Sequence, residues 1–249
     1  MPAYYDSYDY PSYWIGRDYE HNSEIIAIKS LLKKIPKIGT VLDIGSGYGR
    51  LVSSYQYRAK KVILTDPSSR LLSMSRGKFN NKKYIFVHSK LENLPKKLRS
   101  ESIDLIVVVR VLHHIFELNE AFKVFSKLNK KNGYLILEFA NKQHLKSVIR
   151  EFIKGNITFP IDILPKEVIS KKIFKYKLPF TNYHPDNIYT ILKKHGYKII
   201  SRLSVSNIRS SFLKKYISKD ILLYFEKILQ KPLSSISFGP SIFVLAKKY

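Results

Sequence analysis

Residues Val41–Leu51 read VLDIGSGYGRL, and this stretch constrains the chain more than any other. Val41–Ile44 is short, largely apolar and β-branched, the pattern of a buried strand. Gly45, Gly47 and Gly49 then fall at every second position, and Arg50–Tyr55 can start a helix. A glycine-rich turn between strand and helix lets backbone approach a ligand, with the N–H groups of the helix start facing it. A dinucleotide site wants G-x-G-x-x-G, which would put its third glycine at position 50. Position 50 is Arg. The turn therefore predicts a nucleotide-like ligand of another kind, with a tight structural turn as the rival reading.

A chain of 249 residues allows one large α/β domain, or one domain with an insertion. No run of eighteen apolar residues is present, so no membrane span is expected. The opening MPAYYDSYDY lacks the basic start and apolar stretch of a signal peptide, and a cytoplasmic location is expected. Without cysteine there are no disulfides and no thiolate metal sites. The net charge of +25 invites an anionic partner. The basic residues are 34 Lys and only 10 Arg, however, and Ile outnumbers Val 30 to 13. An A/T-rich genome accounts for that composition as well as a nucleic-acid partner does, because readers of nucleic acid lean on Arg. Residues 141–231 hold 19 basic and 6 acidic residues, so a polyanion would bind there.

Strands and helices alternate along the chain. A helix is expected from Asn22 or Ser23 through Glu24–Lys34, and residues 1–22, dense in Tyr and Trp, are expected to drape over a pocket as a lid. Strands are expected at Thr40–Ile44, Lys61–Thr65, Lys83–His88, Ile103–Val109 and Tyr134–Phe139, the last after an Asn132–Gly133 turn. Helices are expected near 50–57, 68–78 and 118–127. The alternation pauses over 141–184, an insertion punctuated by Pro160, Pro165 and Pro179. A helix at Asp186–His195, a strand at Tyr197–Leu203, two basic helical stretches in 207–231 and a last strand at Ser241–Ala246 follow. Such βαβ units imply an α/β fold, a mostly parallel sheet with helices on both faces.

Three segments together resemble the class I S-adenosylmethionine (SAM)-dependent methyltransferases, type 11, the group that includes quinone-biosynthesis enzymes: VLDIGSGYGRL, VILTDPS (Val62–Ser68) and IDLIVVVRVLHHI (Ile103–Ile115). The resemblance implies a Rossmann-like seven-stranded sheet whose last strand is antiparallel, and SAM as cofactor. It implies that Asp43 orients the SAM amino group and that Gly45, Ser46, Gly47 and Gly49 line the methionine end. Asp66 lies 21 residues after Gly45. A carboxylate there accepts hydrogen bonds from ribose hydroxyls, with Pro67 flanking the adenine; the alternative is a cap for the following helix. In KLENLP (Lys90–Pro95) the family's adenine-reading acid is replaced by Lys90, which leaves that task to backbone near Leu91. Arg110 and Val111 would touch the methionine end. In YWIGRDYEH (Tyr13–His21), Arg17 would pair with the SAM carboxylate.

Methyl transfer from SAM needs chiefly proximity and orientation. Should the acceptor have to lose a proton, His113, His114 and His184 are the candidate bases; adjacent histidines with no third ligand make no metal site. Tyr13, Trp14, Tyr183 and Arg209 are candidate substrate contacts. The amino-methylating [DNS]-P-P-[YFW] motif is absent, its place held by Arg110–Val111–Leu112, and no Cys is present for cytosine carbon-5 chemistry. The expected acceptor is a small molecule. RNA, tracked by the basic 141–231 segment, is the alternative, and a SAM-binding protein without catalysis is a third reading.

Overall fold

The computed structural model describes Asp6, residues 9–168 and residues 180–249. Tyr4, Tyr5, Tyr8 and Pro179 lie outside the described residues. Strands β1 (Thr40–Ile44), β2 (Lys61–Asp66), β3 (Tyr84–His88), β4 (Ile103–Val108), β5 (Asn129–Ala140), β8 (Tyr197–Val205) and β9 (Ser241–Lys248) form one seven-stranded sheet in the order β3-β2-β1-β4-β5-β9-β8. The first five strands run parallel, and β9 is antiparallel to both neighbours. This is the seven-stranded, mostly parallel sheet expected from the sequence.

Alternate side chains feed two cores. Leu42, Ile44, Ile106 and Val108 pack with helices α4 (Leu118–Leu128) and α6 (Pro185–Lys194) on one face. Val41, Val62, Leu105 and Val107 pack with α1 (Asp18–Leu32) on the other. The remaining helices are α2 (Ser69–Lys78), α3 (Leu94–Lys97), α5 (Leu145–Ile153), α7 (Ser211–Tyr216) and α8 (Lys219–Leu233). Among the described residues, no helix is long and apolar enough to cross a membrane.

Four boundaries differ from expectation, each for a local reason. Helix α1 begins at Asp18, so a boundary at residue 22 falls inside it. Asp18 and Glu20 occupy its first turn, where the helix dipole favours acids, and the Tyr19 hydroxyl is pinned to Glu226 at 2.6 Å. The expected helix near 50–57 is instead two 3-10 turns, Val52–Ser54 and Gln56–Arg58. There the Ser54 hydroxyl bonds the Leu51 carbonyl at 2.6 Å, competing with helix hydrogen bonds, and Tyr55 is wholly buried with its hydroxyl on Asp43. Strand β5 starts before the expected Asn132–Gly133 turn and absorbs it as an irregularity, with Asn132 at φ +62. The insertion carries a small antiparallel pair, β6 (Lys166–Val168) with β7 (Phe180–Asn182), which its sequence did not suggest.

Candidate functional site

Strand order reverses between β1 and β4, and ligands of open α/β sheets sit beyond the strand carboxyl ends at such a point. A cavity of about 850 Å³ lies there. Its walls include Asp43, Gly45, Ser46 and Gly47 after β1, Asp66 and Pro67 after β2, and Leu91. Arg110, Val111 and His114 close it after β4, and Tyr10 and Tyr48 add aromatic surface.

The glycine turn is not an open cradle for an anion. Gly45 and Ser46 donate their N–H groups to the Thr65 carbonyl at 2.8 and 2.9 Å, and Gly49 donates to Ser46 at 3.0 Å. Gly47 donates to Asp66 Oδ2 at 2.8 Å. With no α-helix directly behind the turn and these four N–H groups engaged, the geometry suits a ligand without phosphate near this turn. Gly45 has φ +72, and a Cβ there would meet Val111 Cγ2 at 2.3 Å, so the turn after β1 sits against Val111, beyond β4, because this residue has no side chain.

Gly49 is placed elsewhere than expected. It does not line the cavity; a Cβ on it would meet Phe79 Cε2 at 2.5 Å and Ser75 Oγ at 2.8 Å. It lets the turn press onto α2. Gly49→Ala is expected to lose about 1–3 kcal/mol from overpacking, and its φ of +79 adds backbone strain. An unchanged denaturation midpoint would refute this account.

Two buried carboxyls face the cavity. Asp66 takes N–H groups from Gly47 and Ser68, both at 2.8 Å. Burial pushes its pKa up to about 6, although those N–H groups pull the other way. Asp43 is pushed up to about 7, again chiefly by burial, against the pull of the Tyr55 hydroxyl. The α2 cap is Ser68, whose hydroxyl accepts Leu71 N–H at 3.2 Å, so Asp66 is not needed for that role. The buried Ser46 hydroxyl lines the cavity with no hydrogen-bond partner among the described residues.

The sequence reading missed Glu24 and Glu138. Glu24 is wholly buried on α1 and holds Arg50 at 2.6 Å and Arg110 at 2.7 Å. Burial alone would raise its pKa, but the two guanidiniums override it and hold Glu24 below the usual glutamate range. Trp14 covers the pair, with Arg50 stacked 3.5 Å from the centre of its ring. Glu138, wholly buried on β5, accepts the Arg110 N–H at 2.8 Å and the Ser241 hydroxyl. That bond helps hold Arg110 in a left-handed conformation, φ +61. A lone acid on an apolar helix face and a lone acid inside LILEFA were the available signals.

A second cavity, about 240 Å³, is lined by Tyr13, Trp14, Arg17, Phe180 and Arg209 among others, and Arg110 lines both cavities. Arg17 therefore stands outside the larger cavity, 4.2 Å from the Tyr13 ring centre. The expected acceptor contacts divide: Tyr13, Trp14 and Arg209 come together here, whereas Tyr183 does not. Tyr183 is buried, and its hydroxyl donates to the Ile115 carbonyl at 2.6 Å. The histidines divide too. His184 is buried and caps α6 by accepting Asp186 N–H at 3.2 Å, away from both cavities. His113 is buried against Phe180, 4.3 Å between ring centres, and burial holds its pKa well below the usual histidine value. His114 alone of the three lines the larger cavity. Among the described residues, no cluster of three or more His, Asp or Glu is placed to hold a metal.

Residues 42–137 match a family described as "Methyltransferase domain", type 11. The chain is 30% identical over 176 residues to a ubiquinone/menaquinone biosynthesis C-methyltransferase of Campylobacter jejuni, covering 67% of this chain and 68% of that one. It is 23% identical over 215 residues to a tRNA 5-carboxymethoxyuridine methyltransferase of Escherichia coli, covering 84% and 79%. In fold it is similar to a putative SAM-dependent methyltransferase of Listeria monocytogenes, with TM-score 0.63, 17% identity, and 90% and 98% covered. The chain belongs to the type-11 family of class I SAM-dependent methyltransferases. It is a methyl-transferring enzyme with SAM as its cofactor.

Proposed function

We propose that the larger cavity holds SAM and that the smaller one receives a small, planar, anionic acceptor. The shared wall at Arg110 carries this reading, since a ligand in the second cavity lies against the first. The larger cavity fits the cofactor on three counts: a buried Ser46 hydroxyl without a partner among the described residues, two recessed carboxyls, and glycine-turn N–H groups of Gly45, Ser46, Gly47 and Gly49 that are already engaged. Asp66 would accept the ribose hydroxyls, Asp43 would orient the amino group, and Pro67 and Leu91 would flank the adenine. Bound SAM supplies an electrophilic methyl group, so the protein's task is placement and exclusion of water. Residues 9–22 contribute Tyr10 and Trp14 as a cover, the remnant of the expected lid. His114 is the base to test if the acceptor must lose a proton.

Arg17 and Arg209 suit a carboxylate, and Tyr13, Trp14 and Phe180 suit a planar ring. The carboxylate expected of SAM at Arg17 is thus reassigned to the acceptor. Calorimetry with 4-hydroxybenzoate on protein saturated with demethylated cofactor tests this. Arg209→Met is expected to weaken that binding about tenfold, as loss of a charge-assisted hydrogen bond does, and to leave cofactor affinity intact. A loss of cofactor affinity instead would assign the cavity to the methionine carboxylate. The tRNA-modifying relative keeps a second reading in view, in which the basic 141–231 segment tracks phosphates. Binding of tRNA that collapses between low and moderate salt would favour it.

A further inference from the structure

We propose that a face built from α5, α7 and α8 docks this protein on an anionic lipid surface. On α8, Ile221, Tyr224, Phe225 and Ile228 are all exposed, Tyr224 by 62%. Their spacing of three, four and seven places them on one stripe. The opposite side of α8 already buries Leu222, Glu226 and Gln230, so the stripe is not a core face left without its sheet. Helix α5 repeats the arrangement with Leu145, Ile149, Phe152 and Ile153 exposed, Ile153 by 82%. Phe212, 67% exposed, and Tyr216 lie on α7, which joins α8 through Ile217 and Ser218. The start of α5 is tied to the turn after α8, where Leu145 N–H donates to the Phe238 carbonyl at 3.0 Å. Single exposed apolar residues are ordinary on a soluble protein, but adjoining stripes mark an interaction surface.

Charge selects the occupant. Lys219, Lys227 and Lys231 are exposed on α8, Lys215 on α7 and Lys146 on α5. Two of the three acids of these helices are withdrawn, Glu226 wholly buried and Glu151 buried beneath Lys166, which leaves Asp220 at the start of α8 exposed among the lysines. A second copy of the chain would set two positive faces against each other. Nucleic acid would use the lysines but give the Ile, Leu and Phe side chains nothing to enter. A lipid interface takes both, with lysines at the headgroups and apolar side chains at the acyl boundary.

Cosedimentation of the full chain with large vesicles tests this, comparing pure phosphatidylcholine with an equal mixture of phosphatidylcholine and phosphatidylglycerol. Binding is expected to the mixed vesicles and to weaken with salt. The triple variant Ile221→Ser, Phe225→Ser, Ile228→Ser is expected to lower partition tenfold or more, since each lost side chain gives up its burial at the acyl boundary. Because these side chains are exposed, the thermal shift with demethylated cofactor should be unchanged in the variant, which confirms that it folds. Absence of binding to either vesicle, or binding indifferent to the triple substitution, overturns the proposal. So does a concentration-dependent dimer that the substitution dissolves, or tRNA binding that it abolishes.

Discussion

Glu24→Ala is expected to lower stability by about 3–5 kcal/mol, because it leaves two guanidiniums beside the larger cavity without their counter-charge. The carboxylate is wholly buried, and Arg50 is nearly so. Arg110, more exposed, still directs both Nε and Nη2 to the same Glu24 oxygen at 2.7 Å. His21 accepts a hydrogen bond from Arg50 at 2.7 Å, but an imidazole carries no negative charge and cannot replace the carboxylate. Removal of the acid therefore frees two cations that Trp14 and the cavity wall hold in place. Glu24 has its pKa depressed in the folded protein. Its contribution is therefore present at neutral pH and disappears as the pH falls through the folded-state value. Urea denaturation should show the full deficit at neutral pH and a narrowing gap in acid. Equal stability of the two proteins at neutral pH would show that the triad contributes nothing. Glu24→Gln, which keeps the shape and one acceptor, should lose less.

The parts of this fold legible in the sequence are those set by local pattern. Strand β1 and the glycines after it follow from an apolar run ended by residues that alone tolerate positive φ. Asp66 follows from its distance to that turn. What escaped depends on partners far along the chain. Glu24 reads as an ordinary helix residue until Arg50 and Arg110 arrive beside it. Tyr183 and His184 resembled a polar site loop, but the topology seats them under the insertion, where Pro160 and Ile115 take their polar atoms. The 3-10 turns after Arg50 escaped because Tyr55 seeks Asp43 in the core rather than a helix face. Gly49 was right in type and misplaced in role, since its neighbour is Phe79 of the turn after α2.

Asp66→Asn is expected to weaken binding of the demethylated cofactor by about ten- to a hundredfold, the loss expected for charge-assisted hydrogen bonds to ribose hydroxyls. Its effect depends on pH in a direction that geometry fixes. In the free protein burial raises the Asp66 pKa from the ordinary aspartate range to about 6. Protonation of Asp66 therefore stabilises the free fold below the ordinary aspartate range, and that contribution is lost as the pH rises through about 6. Hydroxyl donors require the ionised form, so ligand and proton compete for the same oxygens. Cofactor affinity should fall about tenfold per unit as the pH drops below the Asp66 value, with proton uptake on release of the ligand. Calorimetry in buffers of different ionisation enthalpy measures that proton. In Asp66→Asn the slope below about pH 6 should lose the one proton that belongs to Asp66, and what dependence remains belongs to Asp43, which burial also pushes up. Asparagine keeps one oxygen for the Gly47 or Ser68 N–H, so the turn has an acceptor left and the loss reads on the ligand. Wild-type affinity in the variant, with the same pH profile, would remove Asp66 from the ribose and leave it only as the brace of the glycine turn.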